Sequence, residues 1–549
     1  MYFPPLGLAD LANSLELFLF FPFIHFPHFT LFSFCTFPPA LASLTSPASL
    51  TFPTSLTFST SLTSPSSLAS PAKLLYTTPM KHFISSLKSA LLEHKTSSKT
   101  AVVLQFFFAV LFFALLFNLW ASFLNPGMIY RTGDWQKEYD YYSVIKQAVT
   151  EGTAPYHISA KYQTTDRFLA IPETDFSPQI ILLKWLDIRE YMRLNLLLLF
   201  LLGFVGLILL AKKFKLGFLT FSFLALIFFL NGHIVSHLSG GHYMWVGYFL
   251  LPYFFLFLLN FTEEASPAAA AKLALSIFFI FITGGFHIAV WCMLLLLLTG
   301  LFNKKLLNPA LFSLGLAALL LSFRLLPSLI TYYEKAGSQV RGFYSFYIVL
   351  ESLIVMHGPD FQPAFRNWQR SWTEYNAYID IVGLAVILFF GIYLSFKNRN
   401  KKDSFRPFYW PLAIIAIMTL SKFGWMPVPP FNSEKVATRM LIIPLLFLAV
   451  VSAARLQDYL LRKQKSAAII VFSVVLLVML FTSLYFNMEL WKPAGTVMEG
   501  SFTYLGSTIT NIYEPRYKMV FDISIIISAL SFLGTLSLLI FGRKTAKNQ

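Results

Sequence analysis

Charge is what this chain lacks most. Only 12% of its 549 residues are Asp, Glu, Lys or Arg, about half the share of an ordinary soluble domain. That excludes a conventional cytosolic enzyme. Cysteine is nearly absent as well. Cys35 and Cys292 are too few for a disulfide framework or a cysteine-based zinc site. The sequence has no P-loop, no dinucleotide fingerprint, no Asp-x-Asp of the nucleotide-sugar enzymes and no nucleophile elbow around a serine.

Apolar side chains fill the space that charge leaves. Hydrophobic residues make up 56% of the chain, 61 of them Phe, and the mean hydropathy is +0.64. The net charge of +16 would point to nucleic acid in a soluble protein, but its placement along the chain points elsewhere. Apolar runs of membrane-spanning length lie near 101–124, 193–211, 216–232, 244–261, 273–286, 288–302, 309–327, 377–396, 408–421, 439–456, 467–486 and 521–541. The expected fold is therefore an all-α integral membrane protein with about 12 transmembrane helices, within a range of 10–14. The fifth and sixth runs meet at Thr283-Gly284-Gly285-Phe286-His287 and read either as two helices or as one long one. Lys212, Lys213, Lys215, Lys304, Lys305, Lys401, Lys402, Arg462, Lys463 and Arg543 all fall on one set of alternate loops. By the positive-inside rule those loops and both termini are cytoplasmic, in a multi-pass protein of the plasma (inner) membrane. Splitting the Thr283–His287 hairpin keeps the two halves of the chain in phase. The excess charge is thus a membrane-orientation signature, and no nucleic-acid partner is implied.

Residues 1–79 differ in kind. They hold Lys73 as their one base, and 41–79 cycle through Ser, Leu, Thr, Pro and Phe, a composition expected to sustain neither a helix nor a packed core. Met80 precedes Lys81, His82, Lys88, Lys95 and Lys99, an ordinary basic approach to a first span. We read 1–79 as an upstream in-frame translation or a disordered extension, and 80–549 as the polytopic domain.

Carboxylates concentrate in three segments assigned to the extracytoplasmic side, 125–192, 328–376 and 487–520. Connecting loops of that length usually carry function. In the first, Arg131-Thr132-Gly133-Asp134-Trp135 leads into an amphipathic stretch, 136–149, read as a helix along the membrane surface. One of its sides is Tyr141, Tyr142, Val144, Ile145, Ala148 and Val149, and the turn Glu151-Gly152-Thr153-Ala154-Pro155-Tyr156 ends it.

These features resemble the polytopic GT-C glycosyltransferases, which depend on lipid-phosphate sugars. That group includes protein mannosyltransferases and bacterial proteins that modify lipid A and teichoic acid. The resemblance rests on an acid after the first span, the amphipathic helix and the Gly-x-x-Pro-Tyr turn. It continues through Phe176-Ser177-Pro178-Gln179 and Arg193, then Asn231-Gly232-His233, Gly241-His242-Tyr243-Met244-Trp245 and Leu251-Pro252. Pro427-Val428-Pro429-Pro430-Phe431 with Arg439 closes it. It covers roughly residues 100–460, and the order of the motifs carries it. Many relatives have two adjacent acids in the first loop; here Trp135 follows Asp134, and the nearest second acids are Glu138 and Asp140.

The resemblance implies sugar transfer from a polyprenyl-phosphate donor to an envelope acceptor (lipid, glycan or protein) on the extracytoplasmic face, with the bilayer itself as a partner. Such chemistry needs a base for the acceptor hydroxyl and positive charge or a metal for the leaving phosphate. Asp134 is our choice of base; it also suits positioning of acceptor or metal, or capping of the following helix. Glu173 and Asp175 are a second acidic pair with the oxygen chemistry of a divalent-cation ligand, or solvated loop carboxylates. Arg131, Arg324 and Arg439 are candidates for phosphate, with Arg341, Arg366 and Arg370 nearby in sequence; snorkelling to the interface is the alternative for Arg324 and Arg439. His233 and His237 stand at i, i+4, a spacing that permits metal binding as well as plain hydrogen bonding. His242 and His287 follow glycine pairs and suit contact with substrate hydroxyls or phosphate. Outer-loop aromatics, among them Trp135, Trp245, Trp368 and Trp372, suit sugar stacking or an interfacial belt. No cofactor beyond a divalent cation is indicated. Two other readings stand beside the enzyme: a transporter or flippase of lipid-linked or small polar substrates, and a non-catalytic envelope-assembly protein.

Overall fold

The computed structural model describes residues 71–549 except 97, 333–341, 363–370, 398–402, 421–435, 464–465, 498–502, 511 and 547–549. The described chain is mostly helical. In order it forms α1 (Pro71–Leu92), α2 (Lys99–Phe123), α3 (Trp135–Glu151), α4 (Ile188–Phe214), α5 (Phe218–Leu230), α6 (Gly232–Ser239), α7 (Leu251–Glu264), α8 (Pro267–Ile282) and α9 (Phe286–Phe302). Then come α10 (Lys304–Leu320), α11 (Ser322–Tyr332), α12 (Phe346–Ile354), α13 (Asp380–Lys397), α14 (Tyr409–Met418), α15 (Ile442–Arg462), α16 (Ala467–Leu490) and α17 (Pro515–Ala546). The one described sheet pairs β1 (Met128–Ile129) antiparallel with β2 (Thr496–Val497), Met128 opposite Val497.

Among the described residues, eight helical segments are long and apolar enough to cross a membrane, or nine if the α10–α11 pair, bent by 78°, is one span. Segments 267–282, 286–302 and 406–418 are apolar but shorter. The protein is thus a multi-pass membrane protein. At Thr283 the chain makes two helices, not one, because Gly284 takes a left-handed φ of 89° that a continuing helix forbids.

Some expectations change. The 309–327 run is not a straight span, since the helix breaks at Leu321. Helix formation extends well beyond the apolar core of the last two runs, so the third loop shrinks from 487–520 to 491–514. α1 starts at Pro71, inside the segment expected to sustain no helix; proline is tolerated in a first turn, where its missing N–H has no partner to lose. Finally, α3 does not keep one free polar side. Trp135, Glu138, Tyr139, Asp140, Tyr141, Tyr142, Val144, Ile145 and Ala148 are all buried, covered by protein that includes the 178–184 turn and α4.

The span 218–239 breaks between α5 and α6. Asn231 leaves helical geometry with ψ 155°, freeing backbone groups deep inside the bundle. Its own side chain satisfies them. Oδ1 accepts from the N–H groups of His233 and Ile234 at 3.0 and 3.3 Å. Nδ2 donates to the Ile227 carbonyl at 2.8 Å and to the Tyr248 hydroxyl at 2.7 Å. An apolar interior tolerates such a break only when these groups are paired. The break re-aims α6 so that its C-terminal end meets the chain at the start of α3.

Candidate functional site

The site gathers where the chain leaves α2 and enters α4. Asp134 is fixed by backbone: its N–H donates to the Gly240 carbonyl at 2.9 Å, and the Trp135 indole donates to the Ser239 carbonyl at 3.0 Å. Two glycines make this approach feasible. A Cβ on Gly133 (φ 62°) would overlap the Gly240 carbonyl, and one on Gly241 (φ 84°) would overlap the Trp135 nitrogen. Asp134 occupies the N-cap position of α3 but makes no capping bond. Its carboxylate instead takes Lys137 Nζ at 2.8 Å.

Lys137 is the centre of the cluster. It bridges Asp134 to Glu173, which lies 3.3 Å away on the loop before α4. His242 Nε2 stands 3.6 Å from Asp134 Oδ2, and His287 Nε2 stands 3.6 Å from Glu173 Oε1. Behind His242, its Nδ1 is 2.8 Å from His237 Nδ1. The result is a continuous polar line, His237–His242–Asp134–Lys137–Glu173–His287, drawn from the first loop, α3, α6 and the turn after it, and the start of α9. Asp134 is its most open carboxylate, 43% exposed against 25% for Glu173.

Burial and charge oppose each other here, and geometry decides each case. For Glu173 burial alone would raise the pKa; Lys137 and His287 outweigh it and hold the carboxyl well below the usual range. Lys137 is raised above its ordinary value, because Glu173, Glu138 and Asp134 outweigh its own burial. Glu138 is pushed well above the usual carboxylate range, chiefly by burial and further by Glu173, Asp134 and Asp175 against Lys137. Its Oε1 has no hydrogen-bond partner among the described residues. Burial pushes His242 down to about 4, with Arg439 adding to the shift and Glu374 and Asp134 opposing it. It is neutral at pH 7.

Trp245 forms the floor. His237 stacks on it at 4.4 Å and 9°, and His287 lies nearly parallel at 6.2 Å. The Arg439 guanidinium sits 5.7 Å from the same ring. Arg439 also makes two bonds of 2.6 Å to the Glu374 carboxylate, and both side chains are buried.

The remaining candidates fall as follows. Glu173 and Asp175 do not converge. Asp175 turns away to accept from the Tyr191 hydroxyl at 3.0 Å, the Tyr142 hydroxyl at 3.3 Å and the Ser177 N–H at 2.8 Å, and burial raises its pKa against those bonds. Asp140 is remote from the line: it accepts from the backbone and hydroxyl of Ser507 and from Gln163, pinning the 503–508 segment to α3. Arg324 is buried and binds the Leu169 carbonyl at 2.9 Å, the Ile171 carbonyl and the Thr174 hydroxyl, with Phe176 under its guanidinium. It braces the Glu173 loop, so its two outer nitrogens are already engaged. Arg131 is exposed beside the site. His233 and His237 do share one face of α6, their rings 4.4 Å apart. Among the described residues no group of three or more His, Cys, Asp or Glu side chains is arranged to hold a metal ion. Trp135 and Trp245 are buried in protein, not displayed for stacking. Arg341, Arg366, Arg370, Trp368 and the segment 427–431 lie outside the described residues.

Two members escaped the sequence reading. Lys137 had a signal in its i, i+3 spacing from Asp134; Glu374 had none, since only the fold brings it to Arg439.

A family model for membrane proteins, described as a 6-pyruvoyl-tetrahydropterin synthase related domain, matches residues 186–488. The chain belongs to this family. The matched segment includes His233, His237, His242, His287, Glu374 and Arg439 and begins beyond Asp134, Glu138, Asp140, Glu173 and Asp175. No protein of curated function matches the chain.

Proposed function

We propose that the protein is a GT-C-type membrane glycosyltransferase. It moves a sugar from a polyprenyl-phosphate donor to an envelope acceptor on the extracytoplasmic face, with both termini cytoplasmic in the plasma membrane. The observation that carries this reading is the Asp134–Lys137–Glu173 line at one end of a membrane bundle. Asp134 is held by backbone contacts, half open to solvent, and flanked by a lysine and a neutral histidine. That is the geometry of a positioned base: Asp134 takes the acceptor proton while Lys137 keeps it oriented. Glu173 and His287 hold Lys137 from the other side. Positive charge for the departing lipid phosphate comes from Lys137 and the exposed Arg131. The bent α10–α11 pair and the three shorter apolar helices beside the eight long spans leave room for the 12 crossings read from the apolar runs.

Transport has one feature in its favour, the broken span at Asn231. The groups freed there are already satisfied by Asn231 and Tyr248, which argues for a structural break and against an ion or substrate site.

The test uses purified full-length protein in nanodiscs with polyprenyl-phosphate sugars, the products read by mass spectrometry. Asp134→Asn should abolish transfer, at least about 100-fold down, with the helical circular dichroism unchanged. A fully active variant removes Asp134 from the mechanism. Uptake or flipping in proteoliposomes without any covalent product would replace the enzyme with a transporter. A pterin arm belongs in the same assay, because the family description names a pterin synthase.

A further inference from the structure

A cavity of about 630 Å³ opens beside the end of α2. Its walls include Ser122, Tyr130, Arg193, Lys492 and Gly495, and no lining residue is a carboxylate. Arg193 Nε donates to the Ala121 carbonyl at 3.1 Å, which fixes the plane of the guanidinium. Its two outer nitrogens have no protein partner among the described residues. Lys492 reaches Glu489 only at 3.8 Å and is 40% exposed. Two cations therefore face one space with most of their donors unused.

The surroundings say what kind of anion belongs there. α2 and α16, which end at this cavity, are the least covered spans, 11% buried over their apolar windows. Leu115, Phe486 and Leu490 are exposed on them. Exposed apolar side chains on spanning helices face hydrocarbon, so the cavity sits where those helices leave it, at the depth of lipid headgroups. Cationic pockets between spans at that depth suit anionic headgroups. Tyr130 and Trp135, 4.8 Å apart, separate the cavity from the Asp134 line.

We propose that this cavity binds the phosphate headgroup of an anionic membrane lipid between Arg193 and Lys492, its acyl chains lying along α2 and α16. The site does not depend on the glycosyltransferase reading and takes a resident phospholipid.

The experiment uses the full chain in phosphatidylcholine nanodiscs with increasing phosphatidylglycerol, followed by native mass spectrometry of the extracted protein. The wild type should retain a single phosphatidylglycerol that phosphatidylcholine does not replace and millimolar inorganic phosphate does not displace. Lys492→Gln and Arg193→Gln should each weaken retention about fivefold, and the double variant by the product of the two. Lys492 is exposed enough that its replacement leaves folding intact, so that arm stands even if Arg193→Gln fails to fold. Equal retention by wild type and Lys492→Gln would overturn the site. Displacement by inorganic phosphate alone would overturn the lipid and leave a soluble-anion site.

Discussion

Glu374→Gln is the sharpest test of what Arg439 does. The pair is buried, 6% and 10% exposed at the side chains, and joined by two bonds of 2.6 Å. Removing the carboxylate charge takes the ion pair from a buried guanidinium that lies beside Trp245. Breaking a buried pair from one side costs about 3–5 kcal/mol, far more than losing an exposed one. Replacing both partners with apolar groups of similar size is much cheaper, so Glu374→Leu/Arg439→Met should recover most of the loss. The assay is equilibrium unfolding in detergent for the wild type, the two singles and the double, evaluated as a double-mutant cycle. If Arg439 is instead reserved for a substrate phosphate, the carboxylate is dispensable to folding. Glu374→Gln within about 0.5 kcal/mol of wild type would refute the structural role.

Gly241→Ala should cost ~1–3 kcal/mol and displace the Asp134 loop, since φ is +84° and the new Cβ overlaps the Trp135 nitrogen. Gly152→Ala, at φ +66° in open space, should cost only about 1 kcal/mol; equal effects on thermal unfolding would deny the loop contact. His242 binds a proton near 6.5 when unfolded but only near 4 when folded. The unfolded chain is then the better proton acceptor between those values, and stability should fall as pH drops from 6.5 to 4, by at most about 1.4 kcal/mol per unit. His242→Gln should flatten that slope in pH-dependent unfolding; an unchanged slope would assign it to other groups. Asp140→Ala strips three bonds from Ser507 and Gln163. Hydrogen exchange in 503–508 should speed up at least tenfold, about the loss of one buried charged acceptor, with little change in α5.

What the sequence determined by itself was the solvent of the problem. Apolar runs are local, one-dimensional signals, and the bilayer converts them directly into spans. The Thr283 hairpin, the glycine turn after α3 and the polar role of the first loop were legible for the same reason: each depends on a few adjacent residues. The site was legible only as an inventory. Asp134, Glu173, His242 and His287 were named from their positions in loops, but nothing in their spacing said that Lys137 would bridge Asp134 to Glu173, or that Asp140 and Asp175 would turn aside to Ser507 and Tyr191. Arg324 and Arg439 looked alike as charges at helix ends. One braces a loop through carbonyl oxygens and the other meets Glu374, 65 residues away in sequence. Those outcomes required the tertiary structure, because an ion pair or a hydrogen bond is decided by distances of a few ångströms between segments that the chain order does not relate.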